Sequence, residues 1–331
     1  MNKTTKIILG AVIIITVIGV IFLIQQKPSE RVTETTQVKI AYYPITHFLP
    51  LYVAVEKGYF KDAGFDVELV KFEAPNQVID AVMNGQVDLT GPGAALGITG
   101  IADFKNPGKL KMYAISGDHD NYSGHSLILP INSTITSFNQ LKGKKLGIWA
   151  GTIQWRTIAR EILAQNGLDM DKDLTIVELA PSVQVQALAS GQIDALLTLE
   201  PIPTTALNNN VAKLWIKSPA DQFISDPFWY GVGVINAKFA IDNPKTTEKL
   251  VSVIDKAAQE VNQNFDAYRQ YLKGYTSLTD ELITKVPPID FKVCNSFTDE
   301  DKDSIAKFFN IFTKHKVVDG TINMTDMLYC R

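Results

Sequence analysis

Cysteine is nearly missing from this chain. Cys294 and Cys330 are the only two among 331 residues, so no CxxC zinc or redox pattern can be drawn. Histidine is almost as scarce, four in all with no HExxH, which argues against a metal or other bound cofactor. An excess of one charge is missing too. The net charge is −3 and no Lys/Arg run exceeds two residues, so the basic face expected of a nucleic-acid reader is absent. No Gly-Lys-Ser/Thr follows the glycine-rich Gly91-Pro92-Gly93, so that loop is not a P-loop. Hydrophobic residues make up 46% and charged ones 20%, which excludes disordered and collagen-like classes.

A long apolar run is present at the N-terminus. Residues 7–24 contain one polar side chain, Thr16, and 18 residues lie near the lower limit for spanning a hydrocarbon core of ~30 Å. The run exceeds a usual signal-peptide core and no small-x-small cleavage site follows it. An uncleaved transmembrane anchor over 7–24 is therefore preferred to a signal peptide. Residues 1–6, with Lys3 and Lys6, form a cytoplasmic head, and residues 25–37 form a polar linker. The bulk of the protein is then expected at the outer face of the cytoplasmic membrane. In an oxidising compartment a Cys294–Cys330 bond would pin the C-terminus to the body, two free thiols being the alternative.

The remaining chain repeats itself. Residues 81–89 read AVMNGQVDL and residues 187–195 read ALASGQIDA, with Gly85 and Gly191 in register. Upstream, the strand-like VKIAYYP (38–44) answers KKLGIWAG (144–151). Each copy starts strand–loop–helix–strand, and the opening order βαβαβαβ predicts a parallel sheet. Two facing α/β lobes follow, each a mostly parallel sheet flanked by helices. Strands are expected at 38–43, 65–70, 87–90, 110–115, 125–130, 146–150, 174–179 and 195–199, with 230–236 as the return crossing. Lobe one takes 38–130 and 238–331, and lobe two takes 131–237. Ligands in such sheets sit outside the carboxyl ends of the strands, so the cleft between the lobes is where function is expected.

KIAYYPITHFLPLYVAVEKGYFKDAGFDVELV (39–70) and NGQVDLTGPGAA (84–95) resemble the opening of ABC-transporter substrate-binding proteins of the nitrate/sulfonate/taurine type. That group also takes in binders of thiamine-pyrimidine precursors. LKGKKLGIWAGT (141–152), SGQIDALLTLEP (190–201) and FWYGVGVINAKFA (228–240) are similar to its second-lobe segments. The resemblance covers about residues 38–270. It implies a two-lobed periplasmic-binding-protein type II fold, a small-molecule ligand, and ABC permease and ATPase partners. It implies a binder, not a catalyst.

Candidate ligand contacts lie at the strand ends. Tyr43 and His47 belong to the loop after the first strand, where an aromatic face and an imidazole could meet a ligand. Gly91 and Gly93 would let backbone N–H groups approach closely. Gly151, Thr152 and Gln154 repeat this geometry in lobe two, with Thr152 as a helix N-cap whose neighbouring N–H groups favour an anion; the resemblance also implies ligand contacts in this loop. Glu200 ends an apolar strand, where its carboxylate would bond an amine, hydroxyl or ring nitrogen. Trp229 stands for the FWY run, one of whose rings walls the cleft. This set fits a thiamine-pyrimidine-like heterocycle or an aminosulfonate. Two other readings stay open: a fold-related thiamine-pyrimidine synthase, whose cysteine-rich motif is missing here, and the sensing domain of a membrane signalling complex.

Overall fold

The computed structural model describes residues 35–330. The expected head (1–6), anchor (7–24) and most of the linker (25–37) lie outside the described residues. Among the described residues no helix is long and apolar enough to cross a membrane.

The strands, in chain order, are β1 (Thr36–Tyr42), β2 (Phe65–Lys71), β3 (Leu89–Thr90), β4 (Ala94–Ala95), β5 (Leu110–Asp118) and β6 (His125–Pro130). They continue with β7 (Lys145–Trp149), β8 (Thr175–Leu179), β9 (Ala195–Leu199), β10 (Ala212–Lys217), β11 (Phe228–Asn236) and β12 (Asp290–Val293). The main helices are α1 (Leu49–Glu56), α2 (Pro75–Met83), α3 (Leu96–Lys105), α4 (Ile153–Gln165), α5 (Pro181–Ala189), α6 (Ile202–Asn208), α7 (Pro244–Gln263) and α8 (Asp299–Lys314). They flank two sheets of order β12-β5-β11-β3-β1-β2, with β4 on β11, and β10-β6-β9-β7-β8.

The internal repeat has a physical basis. Helices α2 and α5 each run into a glycine in the left-handed region, Gly85 at φ 69° and Gly191 at φ 73°, the conformation that ends a helix without a Cβ penalty. The chain then turns so that Asp88 accepts the backbone N–H of Lys39 at 2.8 Å and donates its own to the Lys39 carbonyl at 2.9 Å. Asp194 does the same with Lys145, at 2.8 Å in both directions. The aspartate of each GQ(V/I)D thus bonds to β1 or β7 where the next strand begins. The apolar stripe of α7 (Leu250, Ile254, Ala257, Val261) is buried at helical spacing. The Thr298/Asp301 capping box starts α8.

Both sheets are mixed rather than mostly parallel. β1 pairs in parallel with β2 and β3, and β7 with β8 and β9. The expected return crossing, β11, instead enters the first sheet antiparallel between β3 and β5. Strand β6 pairs with β9 and β10, so it belongs to the second sheet. The lobe boundaries expected at 130/131 and 237/238 therefore move earlier: the chain crosses at 119–124 and returns at 218–227.

The C-terminus is tied down. Val293 of β12 pairs with Ala114 of β5, and Leu328 bridges to Met112 two residues along the same strand. The two stretches meet end to end beside β5, and Cys294 is bonded to Cys330 across the junction. Closing a loop 36 positions long contributes up to about 4 kcal/mol by restricting the unfolded chain. The double variant Cys294→Ala/Cys330→Ala should lose up to that amount in urea unfolding, while ligand binding in the distant cleft is retained.

Candidate functional site

The carboxyl ends of β1, β7 and β9 converge between the sheets around a void lined by Tyr43, His47, Thr152, Gln154, Trp155 and Tyr230, among others. Its volume is about 10 Å³, room for about one water. Beside it, sharing Ile45 and Leu199, opens a chamber of about 490 Å³. Pro44, Trp149, Val185 and Ile202 make this chamber largely apolar, and Lys71 and Glu73 reach it from the end of β2. A volume of this size is typical of small-molecule sites.

Behind the void, the buried Asp118 carboxylate joins the two crossing segments. Its Oδ1 accepts the Gly124 N–H at 2.7 Å and the Tyr230 hydroxyl at 2.8 Å. Its Oδ2 accepts from His125 N, His125 Nδ1 and the Ser218 hydroxyl at 3.2, 2.6 and 3.0 Å. Burial works against this charge, but the neighbouring His125 and these donors hold the carboxyl below the usual range. His125 Nε2 accepts the Ala220 N–H at 2.9 Å, so the proton on its other nitrogen goes to Asp118. Gly124 is required by crowding, since a Cβ there would lie 2.4 Å from the Tyr230 hydroxyl and 2.6 Å from His47 Cε1.

Tyr230 continues the chain of bonds to His47. Its only hydroxyl proton goes to Asp118, so its oxygen accepts from His47 Nε2, 2.8 Å away. His47 Nδ1 is left buried and without a partner. Donor atoms of Asp118, His125 and Asp221 lie within 4.8 Å of one another. Both His125 nitrogens and both Asp118 oxygens are already engaged, however, so a cation would have to dismantle the hinge to bind.

The expected site residues divide. Tyr43, His47, Gly93, Thr152 and Gln154 all line the void. Gly91 and Gly93 serve packing: a Cβ at either would come within 3 Å of the Phe48 ring. Gly151 is exposed, and its N–H goes to Glu178. Thr152 sits at the N-cap of α4, but its hydroxyl donates to Trp149 O and caps nothing. Gln154 bridges the lobes, accepting the Gly97 N–H at 2.6 Å and donating to Tyr230 O at 3.2 Å. Glu200 does not line the void; it is buried and accepts the Thr204 N–H at 3.3 Å. Burial pushes its carboxyl up to about 7. Trp229 faces away, its ring under Lys292 and beside His119, while its neighbour Tyr230 takes the cleft side. Sequence reasoning missed Asp118, His125 and Tyr230. The polar cluster SGDHDNYSGHS (116–126), between two apolar strands, was the available signal.

Comparisons with known proteins agree with this architecture. The family model described as NMT1/THI5 like matches residues 45–267. A Bacillus subtilis (strain 168) protein named for aliphatic sulfonate binding is 23% identical over 290 residues, 84% of this chain and 82% of its own. A 4-amino-5-hydroxymethyl-2-methylpyrimidine phosphate synthase of Saccharomyces cerevisiae is 26% identical over 254 residues, 73% of this chain and 72% of its own. The solved structure of the alkanesulfonate-binding protein SsuA from Xanthomonas axonopodis pv. citri, bound to MOPS, superposes with a TM-score of 0.72 at 17% identity, covering 89% of this chain and 99% of that one.

Two outcomes follow from the buried carboxyls. Asp118→Asn turns one acceptor face into a donor against N–H and O–H groups, and should cost at least about 3 kcal/mol in thermal or urea unfolding. Glu200 has its folded value raised above the unfolded one, so its contribution is complete below about pH 4.5 and is lost as pH rises towards 7. Glu200→Gln should remove about 3 kcal/mol of that decline between pH 4.5 and 8. Asp221, pushed up to about 9 by burial and by Asp118, leaves a residual slope of the same sign.

Proposed function

The chain belongs to the NMT1/THI5-like family, and from that premise we propose that it is an extracytoplasmic solute-binding protein that captures a small organic acid between its lobes and delivers it to an ABC permease. The observation that carries this reading is the pairing of a small polar void with a larger apolar chamber at the strand ends. The first turn of α4 supplies Thr152, Gln154 and Trp155 to the void, and a helix N-terminus favours a negatively charged head. The chamber accommodates an apolar body. A sulfonate on a hydrocarbon frame matches the chemistry of both parts, the void widening beyond its one-water volume to admit the head, and agrees with the Bacillus subtilis relative. A bare inorganic anion would leave the chamber unused.

Binding is favoured over catalysis by the lining of the void. Among the described residues it includes one histidine and two tyrosines but no cysteine, carboxylate, lysine or arginine, and in the His47–Tyr230 pair the hydroxyl gives its proton to Asp118, so His47 does not act as its base. The yeast relative keeps a pyrimidine-synthase reading as the alternative. The apolar residues 7–24 would hold the protein to the outer face of the cytoplasmic membrane, with 25–37 as tether.

Thermal melting of the full-length chain against alkanesulfonates, taurine, nitrate and aminopyrimidines tests the reading. A ligand at a hundred times its dissociation constant adds about 2.7 kcal/mol, so hexanesulfonate should raise Tm by a few degrees without being consumed. A shift confined to aminopyrimidines, with turnover, would replace the receptor by the enzyme.

A further inference from the structure

The void proposed above for the acidic head lacks a permanent positive charge among its described lining residues, and Lys71 at the edge of the chamber is paired with Glu73 at 3.1 Å. The one group lining the void that can become positive is His47, which is buried. The protonation of its two nitrogens is dictated by neighbours. Tyr230 spends its proton on the ionised Asp118, so Nε2 must carry a hydrogen. In the neutral ring Nδ1 then presents a lone pair, and it has no partner in the protein. A lone pair repels an anion. An N–H at the same position would bond it.

We propose that His47 is the charge-supplying contact of the site, and that an acidic head group bonded to Nδ1 brings with it one proton taken up from solvent at that nitrogen. The proposal rests on the receptor reading. The proton converts the imidazole to imidazolium, and no other bond is made or broken. Charge balance favours it, because the incoming anion and the incoming proton cancel, leaving the buried net charge at that of Asp118 alone. The chain His47–Tyr230–Asp118 fixes the ring's orientation, so Tyr230 and Asp118 act as positioning residues.

The groups facing His47 come from several elements. Tyr43 at the end of β1 and Tyr230 of β11 are uncharged, with hydroxyl values raised by burial. Asp118 of β5 favours the imidazolium, and His125 of β6 opposes it. Glu200 after β9 and Asp221 at residues 219–223 lie beyond Asp118 and are held towards their protonated forms by burial. Without ligand, burial dominates and His47 is pushed down to about 4. An anion at Nδ1 raises it. Affinity is therefore greatest below about pH 4 and falls, by up to about tenfold per pH unit, until the pH passes the value in the complex.

Calorimetric titration of the full-length protein with hexanesulfonate, in phosphate and in Tris at matched pH between 6 and 8, reads this directly. The buffers differ in heat of ionisation, so proton uptake appears as a difference in binding heat. The expected result is uptake approaching one proton per ligand at the lower pH, with affinity falling as pH rises. His47→Gln should abolish both, and Tyr230→Phe should shift the pH of the fall while the fall remains. Binding with no buffer dependence and a flat pH profile would overturn the His47 assignment and leave the receptor intact. Uptake that persists in His47→Gln would overturn it in favour of Glu200. Failure of hexanesulfonate to bind at any pH would overturn both readings together.

Discussion

A single buried carboxylate organises this molecule. Asp118 ends the last strand of the first sheet before the chain leaves it, and its two oxygens accept from Gly124 and His125 on the way out and from Ser218 on the way back. It also accepts from Tyr230, which the returning strand carries into the cleft. An ionised group is expensive to bury unless its lone pairs are filled, so the geometry of both crossings is tied to one charge. The lobes share this anchor. A rotation of one lobe against the other that kept these hydrogen bonds would have Asp118 as its fixed point.

The same arrangement connects fold to chemistry. The hinge charge is passed through one hydroxyl to one imidazole that lines the void, so the element that sets lobe geometry also sets which atom His47 offers a ligand. The helix N-terminus, the apolar chamber and this imidazole come from three different stretches of chain. The fold brings them together at the facing strand ends.

Much of the fold was legible in the sequence, and the reasons are local. The repeated GQ(V/I)D runs encode a helix-ending glycine and an aspartate that bonds to the first strand of each lobe, and both signals lie within a few residues. The crossings were misplaced because strand membership depends on pairing across the molecule: nothing inside His125–Pro130 says whether its neighbour is β5 or β9. Tyr43, His47, Thr152 and Gln154 were found because strand ends point to the cleft. Trp229 was chosen where Tyr230 belongs, since alternation puts adjacent rings on opposite sides without saying which is which. Glu200 was read as a ligand contact from its place after a strand, but its carboxyl is spent on the first turn of α6. Gly91 and Gly93 were read as letting a ligand approach the backbone; both pack against the Phe48 ring, and Gly93 also lines the void.

Gln154 carries one more consequence. Its amide ties lobe two to lobe one, taking the Gly97 N–H and giving its own to Tyr230 O, both of lobe one. The two lobes are thus held to each other by a side chain of the protein itself. A molecule that separated the lobes would have to offset the two bonds this amide gives up, so the latch sets a threshold that any such molecule must exceed.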